Sequence, residues 1–494
     1  MSAVEQVEIG FGAHLEIFEL EKIAQSPKIE LSFSPQTPLA LEKSYVLYQR
    51  ALHQKIPIYG THTGYGALVD YSSGGEEEQA RNLLEHLACG SGCVVEREIA
   101  QLTLILRLHN VCQGYSGITP DLPEKFVPFL QEGLIPQIPE LGSLGASGDL
   151  IPLSHLFRTF QGRGFFYGYE KDACQVMRDL SLQKIDYSSR DALALVNGIS
   201  FSCAILALAA IRGRRLILFA EKLTAALYSL LGARRSALDP RYHQVRQHEG
   251  QKQSAAFILE HTLGIENSSR SLQEVYSLRC APQILGAARG ELSHILRIVE
   301  EEVNGVSDNP LFFEERDGQV AVVHGGNFFG QNLAFAADRL NALLTQTGIL
   351  AERQLFYLLN PASSQAPAML AFEPGRESAL AGAQLLATAL VAEMRSLCYP
   401  HATLSIPTNT HNQDIVPMAA LASRRALQQT DLLAKILAIL NIALNQYYHL
   451  AQAGLCHLGC EKFPPYLYGY PPIKESRALN EDIENLARKI LFSS

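Results

Sequence analysis

Long runs of apolar residues at helical spacing fill the second half of the chain, and they restrict its possible folds most strongly. After Asn197 they cover residues 201–232, 271–303, 332–359, 377–397 and 415–455. Helices near thirty residues exceed the usual globular length and bury their apolar stripes against one another or against other subunits. Strand-like alternation is limited to short pieces such as residues 319–323. We therefore predict a mostly α protein, built as an extended bundle of long helices, that forms oligomers.

The first 200 residues differ from the rest of the chain. Short periodic segments alternate there with clusters of glycine, proline and polar residues, which is typical of helices joined by loops. We predict two regions, a smaller loop-rich helical region at residues 1–200 and a long-helix and oligomerisation region at residues 201–494.

Composition narrows the class of partner. Of the 494 residues, 47 % are hydrophobic and 18 % are charged, and the net charge of -9 comes without a sustained basic stripe. This balance argues against nucleic acid or an anionic membrane as the main partner. The N-terminal segment lacks a basic region followed by a long apolar run, and the longest clean apolar run, residues 201–211, is short for a membrane span. We expect a cytoplasmic protein without a transmembrane segment.

Cysteine spacing raises the question of a metal site. Cys89 and Cys93 form one CxxxC pair beside His86, and Cys456 and Cys460 form another beside His457. Zinc accepts such ligands, but the pairs lie far apart in sequence and cysteine also serves as a small buried hydrophobe. We therefore predict no metal and, from nine scattered cysteines, reduced thiols.

One segment suggests a built-in electrophile. Residues 142–153 read GSLGASGDLIPL, with Ala146, Ser147 and Gly148 at the centre. Small residues allow a turn tight enough for the Gly148 amide nitrogen to reach the Ala146 carbonyl carbon. Closing that ring with loss of water would create an electrophile within the backbone.

A second segment offers a base. Residues 59–66 read YGTHTGYG, and the phenol of Tyr59 could act as a base if neighbouring cations or donors lowered its pKa from about 10. The alternative is a mobile surface loop with aromatic anchors.

Three further groups of residues suit an amino acid substrate. Asn197 precedes a helix, where an amide suits a carboxylate, although a simple helix-start or turn residue is the alternative. Tyr276 and Arg279 share a helix face, and the guanidinium could clamp a carboxylate or form a structural salt bridge. Amide-rich turns at residues 307–310, 325–328 and 411–414 are typical of a site that orients a zwitterion.

In this order and spacing, the five groups resemble the aromatic amino acid ammonia-lyase family, which comprises histidine, phenylalanine and tyrosine lyases and related aminomutases. The resemblance spans roughly residues 59–414. It implies that Ala146, Ser147 and Gly148 cyclise autocatalytically to 4-methylidene-imidazol-5-one (MIO), with no external cofactor. It also implies a homotetramer whose active sites combine residues from more than one subunit.

The resemblance assigns roles residue by residue. Ser147 would supply the carbon that the substrate amine attacks, Tyr59 would remove a β-proton, and Arg279 would hold the substrate carboxylate. The remaining assignments are Asn309 beside that carboxylate, Asn197 and Tyr276 on the MIO side, and Phe328, Asn412 and Gln413 around the substrate. Asn412 and Gln413 match the amide pair of the phenylalanine and tyrosine branches.

Substrate choice depends on His86 and Leu87. Tyrosine lyases and tyrosine aminomutases carry His-Leu at this place, and the imidazole can hydrogen-bond a phenol that would otherwise be buried unpaired. Histidine lyases instead have Glu at the position of Gln413. We predict deamination of L-tyrosine to 4-coumarate and ammonia, and a satisfied structural histidine is the alternative role for His86.

Three other functions stay open at this stage. A tyrosine 2,3-aminomutase would form β-tyrosine, a histidine ammonia-lyase would form urocanate, and a helical binding protein would never cyclise the tripeptide. His62, Tyr65 and Glu274 depart from the usual Asn or Thr, Phe and Asp of the family. Loop mobility around Tyr59 is thought to separate lyases from aminomutases, because a tight loop retains ammonia.

Overall fold

The structure is a computed structural model that describes residues 4–71 and 75–492. In chain order the helices are α1 (Leu20–Gln25), α2 (Thr37–His53), α3 (Glu76–Leu87), α4 (Arg97–Val111), α5 (Val127–Gln131), α6 (Leu150–Thr159), α7 (Ala173–Asp179), α8 (Ser189–Val196), α9 (Ser200–Leu231), α10 (Pro240–Gln244), α11 (Glu249–His261), α12 (Tyr276–Arg279), α13 (Ala281–Val303), α14 (Gln331–Leu359), α15 (Pro361–Ser364), α16 (Ala381–Leu397), α17 (Ala419–Gln452) and α18 (Asn480–Phe492). The strands are β1 (Val4–Ile9), β2 (Lys28–Phe33), β3 (Ser91–Val94), β4 (Pro139–Leu141), β5 (Leu311–Glu314) and β6 (Val320–Val323).

The mostly α fold with long helices is confirmed. Helices α9, α14 and α17 contain 32, 29 and 34 residues, close to the predicted runs. Their apolar residues are extensively buried, and such packing supplies most of the stability of helices in proteins. The predicted strand at residues 319–323 corresponds to β6, which pairs antiparallel with β5.

The predicted helical run at residues 271–303 is wrong at its start. The structure has the four-residue helix α12 and then α13, with no helix at residues 271–275. The Arg234 guanidinium explains the difference, since its Nε donates to the carbonyl oxygens of Arg270 and Ser271 at 3.2 and 2.9 Å. Those carbonyls are thereby occupied outside a helical ladder.

The short strands were mostly missed in the N-terminal part of the chain. Strand β1 pairs in parallel with β2, and β3 pairs antiparallel with β4. The sequence of β1, VEQVEI, alternates only partly between apolar and polar residues. Its period-2 signal is therefore too weak to predict a strand.

Two compact units account for the chain. The first comprises Met1–Leu208, Leu296–Ala337 and Pro400–Arg424, and the second comprises Ala209–Ile295, Asp338–Tyr399 and Arg425–Ser494. Each unit is assembled from separated stretches of sequence. The proposed regions 1–200 and 201–494 therefore stay a prediction based on sequence character.

Two helical segments of the described residues are long and apolar enough to cross a membrane by length and composition. They are Ser189–Leu231 and Ala419–Gln452, and the most apolar stretch of each is 100 % and 72 % buried inside the protein. Core helices meet the same test, and burial of this extent is what they show. The absence of a membrane-spanning segment stays a prediction.

Two antiparallel strand pairs of the first unit adjoin segments that carry predicted site residues. Strand β3 follows α3 closely, and its partner β4 leads directly into residues 142–149. Strand β5 starts just after Asn309, and β6 ends just before His324. The second pair is fixed by apolar packing, because Phe312 is buried with its ring 5.4 Å from that of Tyr48.

Helix α8 begins with a capping box. The Ser188 hydroxyl accepts from the Asp191 amide, and the Asp191 carboxylate accepts from the Ser188 amide, both at 3.1 Å. This reciprocal arrangement satisfies amides that a helix start leaves unpaired. Helix α8 ends at Val196, and Asn197 is its C-terminal cap residue.

Candidate active site

A cavity of about 540 Å³ in the first unit brings together residues that are far apart in sequence. Among its lining residues are nine that the sequence analysis had selected: Tyr59, His86, Leu87, Ser147, Asn197, Asn309, Phe328, Asn412 and Gln413. Ala146 is buried beside Val416 and Met418, next to this wall. The cavity has the size of a site for one small molecule.

The Ala146–Gly148 segment lies in a tight loop between β4 and α6. Gly148 has φ +73°, and a Cβ atom at this position would collide with the backbone of Gly198. Only glycine fits this combination of left-handed backbone and close approach. The Gly148 amide donates to the Phe328 carbonyl at 3.1 Å. The predicted approach of the Gly148 nitrogen to the Ala146 carbonyl carbon stays a prediction.

Asp149 follows the Ala146–Gly148 segment and anchors it through hydrogen bonds. Its carboxylate is fully buried and accepts from the Ser143 hydroxyl at 2.6 Å and from the Ser202 amide and hydroxyl at 2.8 and 2.7 Å. Burial raises the pKa of Asp149, and these donors act in the opposite direction. The Asp149 amide also donates to the Gly198 carbonyl at 2.6 Å, so the loop is tied to the start of α9.

Ser147 is contacted by two side-chain amides. Asn197 Nδ2 donates to the Ser147 carbonyl at 2.8 Å, and Gln413 Nε2 donates to Ser147 Oγ at 2.6 Å. Asn197 Oδ1 is buried and has no hydrogen-bond partner among the described residues. Asn197 is thus neither a helix-start residue nor only a turn residue, because it ends α8 and donates to the tripeptide.

The segment that carries Asn412 and Gln413 has an unusual backbone. Asn409, Thr410 and His411 have φ values of +52°, +52° and +65°. Left-handed conformations cost non-glycine residues roughly 1–2 kcal/mol each. The Thr408 amide donates to the Gln413 carbonyl at 3.0 Å and closes this turn, which directs Gln413 to Ser147.

The Tyr59 side chain faces the cavity from a loop at residues 59–66. The Gly66 amide donates to Tyr59 Oη at 2.7 Å, and the Tyr65 ring packs against the Tyr59 ring at 6.1 Å. Burial raises the pKa of Tyr59, and the Gly66 donor opposes this effect without cancelling it. The expectation of a lowered pKa for Tyr59 is therefore not met by the residues of this chain alone.

His86 lies in the last turn of α3. Its Nδ1 is 2.8 Å from the carbonyl oxygen of Asn82. A carbonyl oxygen only accepts, so Nδ1 carries the proton and Nε2 of the neutral ring is left as an acceptor. The Gly90 amide, just beyond this turn, donates to His155 Nε2 at 3.0 Å and fixes the wall that contains His86 and Leu87.

A buried ion pair supports Asn309. Arg190 Nη2 lies 2.6 Å from Asp308 Oδ2, and both side chains are almost fully buried. Arg190 Nη1 donates to the Asn309 carbonyl at 3.3 Å, and Asn309 Oδ1 accepts from the Gly325 amide at 2.7 Å. Backbone and side chain of Asn309 are therefore both held, as a residue that orients a ligand requires.

Tyr276 and Arg279 belong to the second unit and do not line this cavity. They lie on α12, where the Arg279 guanidinium carbon is 4.6 Å from the Tyr276 ring centroid. Within the described part of the chain, no carboxylate pairs with Arg279, and its Nε is buried without a partner. The nearby Glu274 instead pairs with Arg270 at 2.6 Å. Both roles predicted for Arg279, a carboxylate clamp and a structural salt bridge, stay predictions.

Two residues at the site, Asn409 and His324, were not predicted from the sequence. Asn409 lines the cavity, and His324 accepts the Tyr59 amide proton at 3.2 Å. His324 could have been selected from the sequence, because it lies between the predicted strand at residues 319–323 and the amide-rich turn at residues 325–328. No three His, Cys, Asp or Glu side chains of residues 4–71 and 75–492 form a group that could hold a metal ion.

Comparison with known proteins gives consistent results. The sequence profile described as aromatic amino acid lyase matches residues 15–462. A histidine ammonia-lyase from Symbiobacterium thermophilum is 33 % identical over 503 residues, which cover 99 % of this chain and 97 % of the relative. A tyrosine ammonia-lyase from Cereibacter sphaeroides is 36 % identical over 466 residues, 88 % of each chain. The crystal structure of a tyrosine aminomutase from Streptomyces globisporus has a TM-score of 0.89 at 31 % identity and covers 98 % of this chain and 97 % of that one.

The helical fold and these relatives define an enzyme of the ammonia-lyase and aminomutase class, whose lyase members break carbon–nitrogen bonds. The chain belongs to the aromatic amino acid lyase family. The family resemblance found in the sequence is thereby confirmed.

Proposed function

We propose that this protein is an MIO-dependent tyrosine ammonia-lyase that converts L-tyrosine to 4-coumarate and ammonia. The observation that carries the choice of substrate is His86, which lines the same cavity as Ser147 and whose Nδ1 bond to the Asn82 carbonyl leaves Nε2 as the acceptor of the neutral ring. A phenol hydroxyl is a donor of matching polarity, whereas phenylalanine would leave the acceptor unpaired.

The residues present fit the MIO group. Gly148 has the left-handed backbone that a tight turn requires, and the Ser147 carbonyl and hydroxyl each have an amide donor. When formed, MIO supplies an electrophilic carbon for the substrate amine. Asn197 and Gln413 would hold the polar atoms of the tripeptide in place during that chemistry.

Tyr59 is the proposed base. Its Oη would take a β-proton of the substrate, the C–H electron pair would form the Cα–Cβ double bond, and the amine would leave with the electrons of the Cα–N bond. The Gly66 N–H, 2.7 Å from Oη, would stabilise the phenolate that starts this step. Because burial raises the pKa of Tyr59, we expect the rate to increase with pH on the alkaline side.

We further propose that Tyr276 and Arg279 reach the cavity from a second copy in a homotetramer. The support is the Arg279 guanidinium, which has no ion-pair partner among the described residues of its own chain. Light scattering tests the assembly, and mixing Tyr59→Phe with Arg279→Met subunits tests the sharing. Partial recovery of activity in the mixed tetramer is expected, and no recovery would contradict shared sites.

The decisive experiment incubates the purified protein separately with tyrosine, phenylalanine and histidine and identifies the products. Coumarate from tyrosine is expected. Urocanate from histidine would instead assign a histidine lyase, and an intact mass without the loss of two water molecules would contradict MIO formation.

Variants of His86 sharpen the substrate assignment. His86→Phe should lower kcat/KM for tyrosine by about 10- to 100-fold relative to phenylalanine, because the hydroxyl loses its acceptor. His86→Gln is the matched control, since its amide oxygen still accepts. Equal tyrosine preference in the wild type and in His86→Phe would overturn the role of His86.

A tyrosine 2,3-aminomutase is the second candidate, favoured by the hydrogen bonds within the Tyr59 loop. Tyr65 Oη donates to the Gly60 carbonyl at 3.3 Å, and the Gly64 amide donates to the Tyr71 carbonyl at 2.9 Å. A tight loop retains ammonia for re-addition at the β-carbon. Dominant β-tyrosine would favour this candidate, and Tyr65→Phe should then raise the share of coumarate.

A further inference from the structure

His324 holds the loop that carries the proposed base. The backbone amide of Tyr59 donates to His324 Nε2 at 3.2 Å, across 265 positions of sequence. His324 follows strand β6 directly, and the amide of the next residue, Gly325, donates to Asn309 Oδ1 at 2.7 Å. Residues 324 and 325 therefore contact both a proposed base and a proposed substrate-binding residue.

The other hydrogen bonds near Tyr59 act mainly within its own loop. The Gly66 amide bonds to Tyr59 Oη, and Tyr65 Oη bonds to the Gly60 carbonyl. These contacts fix the shape of residues 59–66. Gln79 Nε2 of α3 also donates to the Thr63 carbonyl at 3.0 Å and holds the middle of the loop. The bond from Tyr59 to His324 connects the Tyr59 end of the loop to the residue that follows β6.

The bond depends on a neutral imidazole. Nε2 of His324 can accept a hydrogen bond only when it carries no proton. Protonation would turn Nε2 into a donor that faces the Tyr59 N–H, which is also a donor. Burial and repulsion from the charged Arg190 of α8 lower the pKa of His324. On the loop, burial raises the pKa of both Tyr59 and Tyr65, so both phenols are neutral near pH 7. His62, the remaining titratable group of the loop, accepts the Ile58 amide proton through Nδ1 at 3.2 Å.

We propose that His324 is a positioning residue that anchors the Tyr59 loop while its imidazole is neutral and releases the loop when it is protonated. The inference rests on the proposed role of Tyr59 as the base. A histidine whose pKa is lowered on folding contributes its bond above pH 6.5 and loses it as pH falls through the lowered value. The anchor is therefore in place at neutral and alkaline pH and fails in acid.

Hydrogen–deuterium exchange tests the anchor without any assay of activity. In His324→Ala, the amide of Tyr59 should exchange about fivefold faster at pH 8, as loss of one neutral hydrogen bond predicts. His324→Gln should keep most of the protection, because its amide oxygen accepts at every pH. His248→Ala removes an exposed histidine of the second unit and is the control. Unchanged exchange at Tyr59 in His324→Ala would overturn the proposal.

Kinetics test the consequence for the reaction. We expect His324→Ala to lower kcat about fivefold with little change in KM, and His324→Gln to restore kcat. The kcat of the wild type should decrease at acid pH. The decrease should be smaller in His324→Gln, because its amide oxygen still accepts the Tyr59 hydrogen bond at that pH. His155 also accepts a hydrogen bond from a backbone amide beside the cavity, that of Gly90. Because both proteins contain His155, the difference between their pH profiles excludes its contribution to the decrease of kcat. An identical acid limb in both would contradict the proposal.

The two proposals fail in different ways. If the wild type forms no product from tyrosine, phenylalanine or histidine, the proposed function is wrong, and the exchange experiment still decides whether His324 holds the loop. If product forms and Tyr59 exchange is unaffected by His324→Ala, the function stands and the anchor is wrong.

Discussion

The Ala146–Gly148 loop of the first unit and the Tyr276–Arg279 helix of the second differ in how their polar groups are satisfied. The loop is bonded within the chain through Asp149, Asn197 and Gln413. The Arg279 guanidinium makes no ion pair with a described residue, and Tyr276 is 67 % exposed. The first region is therefore preorganised by its own chain, whereas the described residues supply no carboxylate for the guanidinium of the second. This contrast supports the proposal that Arg279 binds a substrate carboxylate.

The largest expected effect comes from Ser147, at the centre of the preorganised region. Ser147→Ala removes the atom proposed to become the electrophilic carbon, so turnover should fall by at least about a thousandfold. Its intact mass should equal that of the unprocessed chain, with unchanged circular dichroism. Ser293→Ala, exposed on α13, is the control. Activity retained in Ser147→Ala would show that the electrophile lies elsewhere.

Arg279 should affect binding without affecting stability. Arg279→Met should lower kcat/KM by about 100-fold, as expected for charge-assisted hydrogen bonds to a carboxylate. Unfolding by denaturant should change little, because no ion pair is lost. Arg270→Met is the contrast: it removes the ion-pair partner of Glu274, whose side chain is 4 % exposed, and leaves that carboxylate only the Arg234 backbone amide at 3.0 Å, so it should cost roughly 3 kcal/mol of stability. Equal destabilisation by both changes would remove the distinction between the two arginines.

Asn197 should have a smaller effect than Ser147 because it contacts the tripeptide through one hydrogen bond. Asn197→Ala should lower kcat by about 10- to 100-fold through loss of the donor to the Ser147 carbonyl. Steady-state kinetics measure this effect, with Asn480→Ala at the start of α18 as the control. Normal kcat in Asn197→Ala would mean that the tripeptide is positioned without this amide.

The smallest expected effect concerns the helix starts of the two regions. Ser188→Ala removes half of the α8 capping box and should lower the free energy of unfolding by about 1 kcal/mol. Val275, at the corresponding place before α12, has no side-chain cap, so Val275→Ala should change stability by only a few tenths of that amount. Denaturant titrations compare the two. A larger loss at Val275 would contradict the expectation that the start of α12 owes little to its cap position.

Sequence patterns predicted the features that depend on local chemistry. Long apolar periodicity fixed α9, α14 and α17 to within a few residues, because burial of one helix face leaves a regular trace in the sequence. The start of the run at residues 271–303 was misplaced, because the Arg234 guanidinium, distant in sequence, engages two backbone carbonyls there. Short strands such as β1 and β3 left too little pattern to detect.

The sequence by itself determined the fold class, the family and the candidate residues, because these follow from periodicity and from residue types at fixed spacing. Tertiary structure alone decided which of them meet. It brought Asn197 and Gln413 to Ser147, left Tyr276 and Arg279 out of the lining of that cavity, and made His324 the acceptor for the Tyr59 amide. Hydrogen bonds between residues 50 to 266 positions apart leave no mark that one sequence can show, since each depends on where the rest of the chain has packed.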